Sequence, residues 1–207
     1  MTAPLVALAL GYLLGGFPTA YLLAKARGKD VFAVGSGSMG AMNTARNVGR
    51  ALGVAVLLVD AGKGALATLV GGALAGLEPG QDPLLASLLG ALGAVAGHCF
   101  SPYVGFRGGK GLATAFGALL VVHPLPPLYG LVLLVALLLI VRDGDAAILV
   151  TVLLFPVVVL FALDRQGWPR EATFLTTTVV AAMSVVGLVR LGVGWLRSRR
   201  GVRPEAG

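Results

Sequence analysis

Six stretches of this sequence, residues 3–24, 51–76, 84–100, 125–141, 146–163 and 172–191, are apolar over close to the ~20 residues that a helix needs to cross a bilayer. Nothing else in the chain limits its fold so strongly. A segment entering hydrocarbon must satisfy its own backbone N–H and C=O groups, and runs of this length do so as helices. With 57% hydrophobic and 12% charged residues, little sequence remains for a soluble unit. The expectation is an all-α polytopic membrane protein, one membrane-embedded domain over 1–207, with the lipid bilayer as its first partner. The net charge of +7 does not argue for nucleic acid, because the cations sit at segment ends, where they set topology, and no soluble basic face exists.

A seventh stretch, 112–122, is apolar but short, and it either crosses or re-enters. Charge decides between the two. If it crosses, Lys25, Arg27, Lys29, Arg46, Arg50, Arg107, Lys110, Arg142, Arg197, Arg199, Arg200 and Arg203 share one side, and only Arg165 and Arg170 face the other. Cytoplasmic loops carry the excess of Lys and Arg. This predicts seven transmembrane helices with the N-terminus outside and the C-terminus cytoplasmic. Ala24-Lys25-Ala26 has the look of a signal-peptidase site, but its cations follow the apolar run instead of preceding it, so the first helix is expected to be retained. Phe17-Pro18 predicts a kink within it. Gly11/Gly15, Gly72/Gly76 and Gly93/Gly97 have the i,i+4 spacing that lets membrane helices approach closely.

Polar chemistry gathers in few places. Gly97 to Gly111 holds His98, Arg107, Lys110 and five glycines. Gly108, Gly109 and Gly111 leave backbone N–H groups uncovered around the Lys110 charge, a nest suited to phosphate, with His98 near enough to accept a proton. It is not a nucleotide P-loop, since Val104 stands where the first glycine belongs and Gly111 replaces the magnesium-binding Ser or Thr. A short basic turn between helices is the plainer reading. In the first loop Gly35, Gly37 and Gly40 satisfy GxGxxG, but a dinucleotide site needs a βαβ unit that these segments cannot build. What remains is a glycine-rich loop in which Ser36 and Asn43 can donate to phosphate and Arg46 offers a bidentate fork.

Asp60 and Lys63 lie three apart inside an apolar span, where ionisable groups are costly and point by default to function; Lys63 is expected to pair with Asp60 and to reach toward anionic substrate. Cys99, the single cysteine, is expected to be an apolar filler, and His123 an interfacial residue at the outer face. No cysteine or histidine cluster offers a metal site, and no cofactor is implied.

The segments Gly35 to Arg46, Asp60 to Gly64 and Gly97 to Thr114 resemble the bacterial acyl-phosphate:glycerol-3-phosphate acyltransferases. Gly97-His98-x-Phe100-Ser101 with Phe106-x-Gly108-Gly109-Lys110-Gly111-x-Ala113-Thr114 is the most specific part. The resemblance implies a multi-pass enzyme of the bacterial inner membrane. It would move a fatty acyl group from acyl phosphate to glycerol-3-phosphate at the cytoplasmic face, giving lysophosphatidic acid and phosphate. It implies catalytic roles for Ser36 and Arg46, and acceptor binding by Gly108, Gly109, Lys110 and Gly111. Gly37, Gly40, Asn43, Lys63 and Ser101 complete the expected substrate-binding set. The acceptor's proton goes to His98 or to a substrate phosphate oxygen. The His-x4-Asp signature of other acyltransferases is absent, with Tyr103 at the aspartate's place, which disfavours acyl-CoA or acyl-carrier-protein donors.

The chain also departs from that family. Ser38 and Met42 replace an Asn and a Thr, and Arg142-Asp143-Gly144-Asp145 brings two acids into a turn that is usually basic and aromatic. Leu191 to Trp195 and Arg203-Pro204-Glu205 lack the expected C-terminal His, Asn and Glu. A divergent member is therefore expected, and the rival reading is a non-catalytic membrane protein that binds or transports an anionic lipid or phosphate compound.

Overall fold

The computed structural model describes residues 2–141 and 143–199, with 197–199 described by backbone alone. Arg142, Arg200, Arg203 and the Arg203-Pro204-Glu205 ending therefore lie outside the described residues. Among the described residues the chain is helical and forms no strand. The helices are α1 (Thr2–Gly16), α2 (Thr19–Lys25), α3 (Ala41–Asn47), α4 (Arg50–Gly76), α5 (Pro83–Cys99), α6 (Leu112–Val122), α7 (Leu125–Val141), α8 (Gly144–Arg165) and α9 (Arg170–Arg199). The first span breaks into α1 and α2 at Phe17-Pro18, where a kink was expected. Four segments are long and apolar enough to cross a membrane, namely Thr2–Lys25, Arg50–Gly76, Gly144–Arg165 and Arg170–Leu196. Helices α5, α6 and α7 are apolar but shorter.

Large apolar side chains such as Leu5, Leu58, Val132, Ile140, Phe174 and Val185 point outward, whereas Asp60, Lys63, His98 and Arg190 are buried. That reversal of the soluble pattern suits a lipid-facing exterior. Between such helices burial of apolar surface supplies little drive, so close packing of backbones holds the bundle together. Helix α5 is its axis. On α1 Gly11 and Gly15 rest against the carbonyls of Gly90 and Ala94, and on α5 Gly93 and Gly97 rest against those of Leu8 and Tyr12. Gly64 on α4 and Gly117 on α6 meet the carbonyls of Thr114 and Ala61 in the same way. A methyl group at any of these positions would overlap backbone. Of the Gly72/Gly76 pair only Gly72 lies against α5, at the Ser87 side chain; Gly76 has nothing within 4 Å, and the backbone contact is made by Gly71 against the Ala86 carbonyl.

Helix starts follow local chemistry. The Asp82 carboxylate accepts the Leu84 N–H at 2.8 Å ahead of Pro83 in the first turn of α5, and Asp143 accepts the N–H groups of Asp145 and Ala146 at 2.9 Å to open α8. Leu88, Val95 and Cys99 of α5 pack with Val179 and Met183 of α9, so the cysteine sits in an apolar core. At the opposite end His123 is 1% exposed, with Nε2 3.0 Å from Thr176 Oγ1 and its ring edge-on to Trp168. It is thus buried beneath α9 and not spread on the interface, and that burial lowers its pKa below the ordinary histidine value.

Candidate active site

The first loop is shaped by one amide. Asn43, on the short helix α3, is buried, and its Oδ1 accepts the Ser36 N–H at 3.0 Å while its Nδ2 donates to the carbonyls of Ser38 and Val31 at 2.9 and 3.1 Å. Asn47 Nδ2 donates to the same Oδ1 at 2.9 Å. Gly35, at φ 55°, passes so close to both amides that a side chain there would collide with them. Ser36 and Arg46 are thereby left exposed on the inner side of the loop.

The central stretch forms a second loop behind the first. Ser101 and Arg107 pair across it as a single antiparallel bridge, with the Phe106 N–H donating to the Ser101 carbonyl at 2.8 Å. The Ser101 hydroxyl, fully buried, donates to the Gly16 carbonyl at 2.6 Å, where the α1 ladder ends. Gly109 donates its N–H to the His98 carbonyl at 3.1 Å, and a Cβ at Gly109 would strike His98 Nε2. The glycine is needed because the imidazole lies against its Cα. Gly111, at φ 82°, turns the chain into α6. The two loops are joined twice: the Met39 N–H donates to the Gly108 carbonyl at 3.4 Å, and the Arg107 guanidinium stacks on the Phe32 ring at 3.8 Å.

Asp60 lies beneath both loops, its Oδ1 2.7 Å from Lys63 Nζ and 3.6 Å from His98 Nδ1. Lys63 Nζ also donates to the Phe17 carbonyl at 3.1 Å, at the kink between α1 and α2. A buried lysine, carboxylate and imidazole thus stand in line, with the carboxylate in the middle.

Above them opens a cavity of about 900 Å³ whose lining includes Ser36, Gly40, Asn43, Arg46, Asp60, His98, Lys110, Gly111 and Asp145. Lys110 is ion-paired with Asp145 in the first turn of α8. A second, apolar cavity of about 340 Å³ runs among α6, α7, α8 and α9, past Leu119, Phe155 and Met183. Lys110, Gly111, Leu112 and Ala113 border both.

The sequence-derived candidates therefore separate into two groups. Ser36, Gly40, Asn43, Arg46, His98, Lys110 and Gly111 face one space. Gly37, Lys63, Ser101, Gly108 and Gly109 do not border it. Lys63 was expected to extend toward substrate, but its ammonium is held below the floor by Asp60 and the Phe17 carbonyl. Ser101 spends its hydroxyl on Gly16, and Asn43 spends its amide on the loop. Two contributors escaped the sequence reading. Asp145 meets Lys110 from 35 positions away, and Arg190, buried on α9, donates from Nη2 to the Gly108 carbonyl at 2.9 Å. An arginine inside an apolar span was the available signal for the second.

A bundle of apolar helices with a polar cavity, its wall carrying Arg46 and Lys110 among carboxylates, opening beside an apolar one suits a class: integral membrane proteins that handle molecules with a polar head and a hydrocarbon tail. Residues 5–192 match the family profile described as glycerol-3-phosphate acyltransferase. The chain is 41% identical over 177 residues to glycerol-3-phosphate acyltransferase 1 of Deinococcus radiodurans, covering 85% of this chain and 86% of that one. It is 36% identical over 194 residues to the glycerol-3-phosphate acyltransferase of Geobacter sulfurreducens, covering 94% and 96%. Among solved structures it is similar to PlsY (YgiH), an integral membrane glycerol 3-phosphate acyltransferase. The glycerol 3-phosphate form of that protein gives a TM-score of 0.74 at 26% identity, covering 99% of this chain and 96% of that one. The chain belongs to the glycerol-3-phosphate acyltransferase family.

Proposed function

We propose that this protein transfers a fatty acyl group from acyl phosphate to a hydroxyl of glycerol-3-phosphate, giving lysophosphatidic acid and phosphate. The observation that carries this reading is the meeting of the two cavities at Lys110 to Ala113, one polar, with Arg46 and Lys110 on its wall, and the other apolar. An acyl phosphate laid across that junction puts its chain among α6, α7, α8 and α9. Its phosphate then faces Arg46 and Ser36.

Each step follows from the groups present. The acceptor phosphate sits against Lys110 and Gly111, the end of the Gly108 to Gly111 loop that borders the cavity. Its hydroxyl oxygen attacks the acyl carbonyl carbon, the C–O bond to phosphate breaks, and phosphate departs with the electron pair. Arg46 and Ser36 orient the donor and stabilise the charge that develops on it. The hydroxyl proton passes to His98, whose ring faces the Asp60 carboxylate at 3.6 Å, well placed to be oriented by it and to have its positive charge balanced. The phosphate leaving group is already activated, so no covalent intermediate with the enzyme is required.

The reading includes seven crossings, with α1 and α2 together forming the first, the N-terminus outside and the site at the cytoplasmic face. Support comes from the direction of the last two helices: α8 runs from Asp145, beside Lys110, away to Arg165, and α9 returns from Arg170 to Arg190. The cation-rich end is then the end that holds the site, as positive-inside orientation requires. Arg46→Ala tests the chemistry: it should remove acceptor-dependent phosphate release while thermal unfolding stays unchanged, because Arg46 is exposed on α3. Near-normal turnover in this variant would contradict the proposal. Transport of labelled substrate unchanged across vesicles, without phosphate release, would favour the rival carrier.

A further inference from the structure

We infer that Arg190 is the positioning residue of the acceptor-phosphate loop, setting the affinity for glycerol-3-phosphate without touching it; the inference rests on the reading that this loop binds that phosphate. Arg190 is 8% exposed in an apolar span, a costly place for a guanidinium unless it does something there. It does not border the cavity. It reaches the loop at the Gly108 carbonyl, through Nη2 at 2.9 Å.

That carbonyl belongs to the Gly108–Gly109 peptide, whose N–H donates to the His98 carbonyl at 3.1 Å. One peptide unit therefore accepts from α9 at one end and donates to α5 at the other. A charged donor on the carbonyl polarises the unit and strengthens its N–H bond. The same oxygen also takes the Met39 N–H at 3.4 Å, so the first loop is registered against the identical point. Neither glycine has side-chain atoms with which to hold itself, and both are closely enclosed by α5. Fixing this one peptide sets the direction in which Lys110 and Gly111 leave it toward the cavity. The neighbouring positions on α9, Leu191 to Gly194, carry no polar side chain that could take over.

The test is steady-state kinetics of the full-length protein in lipid, with palmitoyl phosphate and glycerol-3-phosphate varied separately. Arg190→Met should raise KM for glycerol-3-phosphate about tenfold or more, with KM for palmitoyl phosphate unchanged and kcat within about threefold. Arg190→Lys, which can still donate to the carbonyl, should recover most of the affinity. Should the Met variant fail to fold, Arg190→Gln, polar but too short to reach, is expected to show the same rise. An unchanged KM for glycerol-3-phosphate in a folded Met or Gln variant would overturn the inference, as would an equal rise in both KM values. A Lys variant no better than Met would do so too. Wild-type protein that releases no phosphate on adding glycerol-3-phosphate would instead sink the underlying functional reading, so the two failures are distinguishable.

Discussion

Exchanging the charges of Asp60 and Lys63 tests whether this buried pair is a simple neutralising contact or an oriented relay. For a simple pair, Asp60→Lys with Lys63→Asp should restore what either single change destroys. The structure predicts otherwise, because each end has a different third partner. Lys63 donates to the Phe17 carbonyl at 3.1 Å, whereas the Asp60 carboxylate lies 3.6 Å from His98 Nδ1. After the swap a carboxylate would face a carbonyl oxygen, and an ammonium would face the imidazole and repel the imidazolium that proton acceptance creates. Removing one partner of a buried pair costs about 3–5 kcal/mol, while replacing both with apolar groups of similar volume is often close to neutral. Asp60→Leu and Lys63→Met should therefore each destabilise by about that much, and the double variant by no more than about 2 kcal/mol. The coupling energy of such a cycle would then be several kcal/mol. Thermal unfolding in lipid measures the stability and acceptor-dependent phosphate release measures the chemistry. The stable Asp60→Leu/Lys63→Met protein should still be inactive, since His98 has lost its carboxylate. Full activity in the charge-swapped protein, or turnover in the apolar double variant, would refute the relay.

On the proposed reading an incoming phosphate would have to displace Asp145 from Lys110, and at 76% exposure of the Asp145 side chain such a pair is worth only about 0.2–1 kcal/mol. Asp145→Asn should lower KM for glycerol-3-phosphate, by about fivefold at most, and a raised KM would show that the carboxylate assists binding. Gly97→Ala should destabilise by about 1–3 kcal/mol, because its methyl would overlap the Tyr12 carbonyl, whereas Gly76→Ala, with open space around it, should not lower the melting temperature. Equal effects of the two changes would remove the close-packing argument. The depressed pKa of buried His123 means that the unfolded chain binds its proton first as pH falls, so the contribution is intact above about 6.5 and is lost below it. Melting temperatures measured between pH 7.5 and 5.5 should accordingly fall more for the wild type than for His123→Gln.

Hydropathy was enough to place the helices, because a membrane span is defined by length and composition together. The helix bounds of the structure follow the apolar stretches to within two residues except at the end of α9, which runs on past residue 191 to Arg199, and the Phe17-Pro18 break stands where proline put it. Helix α3 was not legible. Its seven residues, Ala41 to Asn47, have no apolar periodicity, and the loop around them is organised by hydrogen bonds to Asn43. The candidate site was readable as two glycine-rich cationic loops, since unshielded backbone donors beside Arg and Lys are a local pattern. Which residues face the cavity was not, because that depends on contacts between distant elements. Lys63, Ser101 and Asn43 carry suitable side chains, yet each is committed to a carbonyl of another turn or helix. Asp145 and Arg190 show the converse. Asp145 was one of two acids in the Arg142 to Asp145 turn and Arg190 drew no reading, and only the packing of α8 and α9 brings them to Lys110 and Gly108.

The most direct test of the account is phosphate release by the purified protein in lipid, supplied with palmitoyl phosphate, with and without glycerol-3-phosphate. The account predicts release that depends on the acceptor, with lysophosphatidic acid formed in equal amount. Folded protein that binds palmitoyl phosphate but releases nothing when glycerol-3-phosphate is added would contradict it.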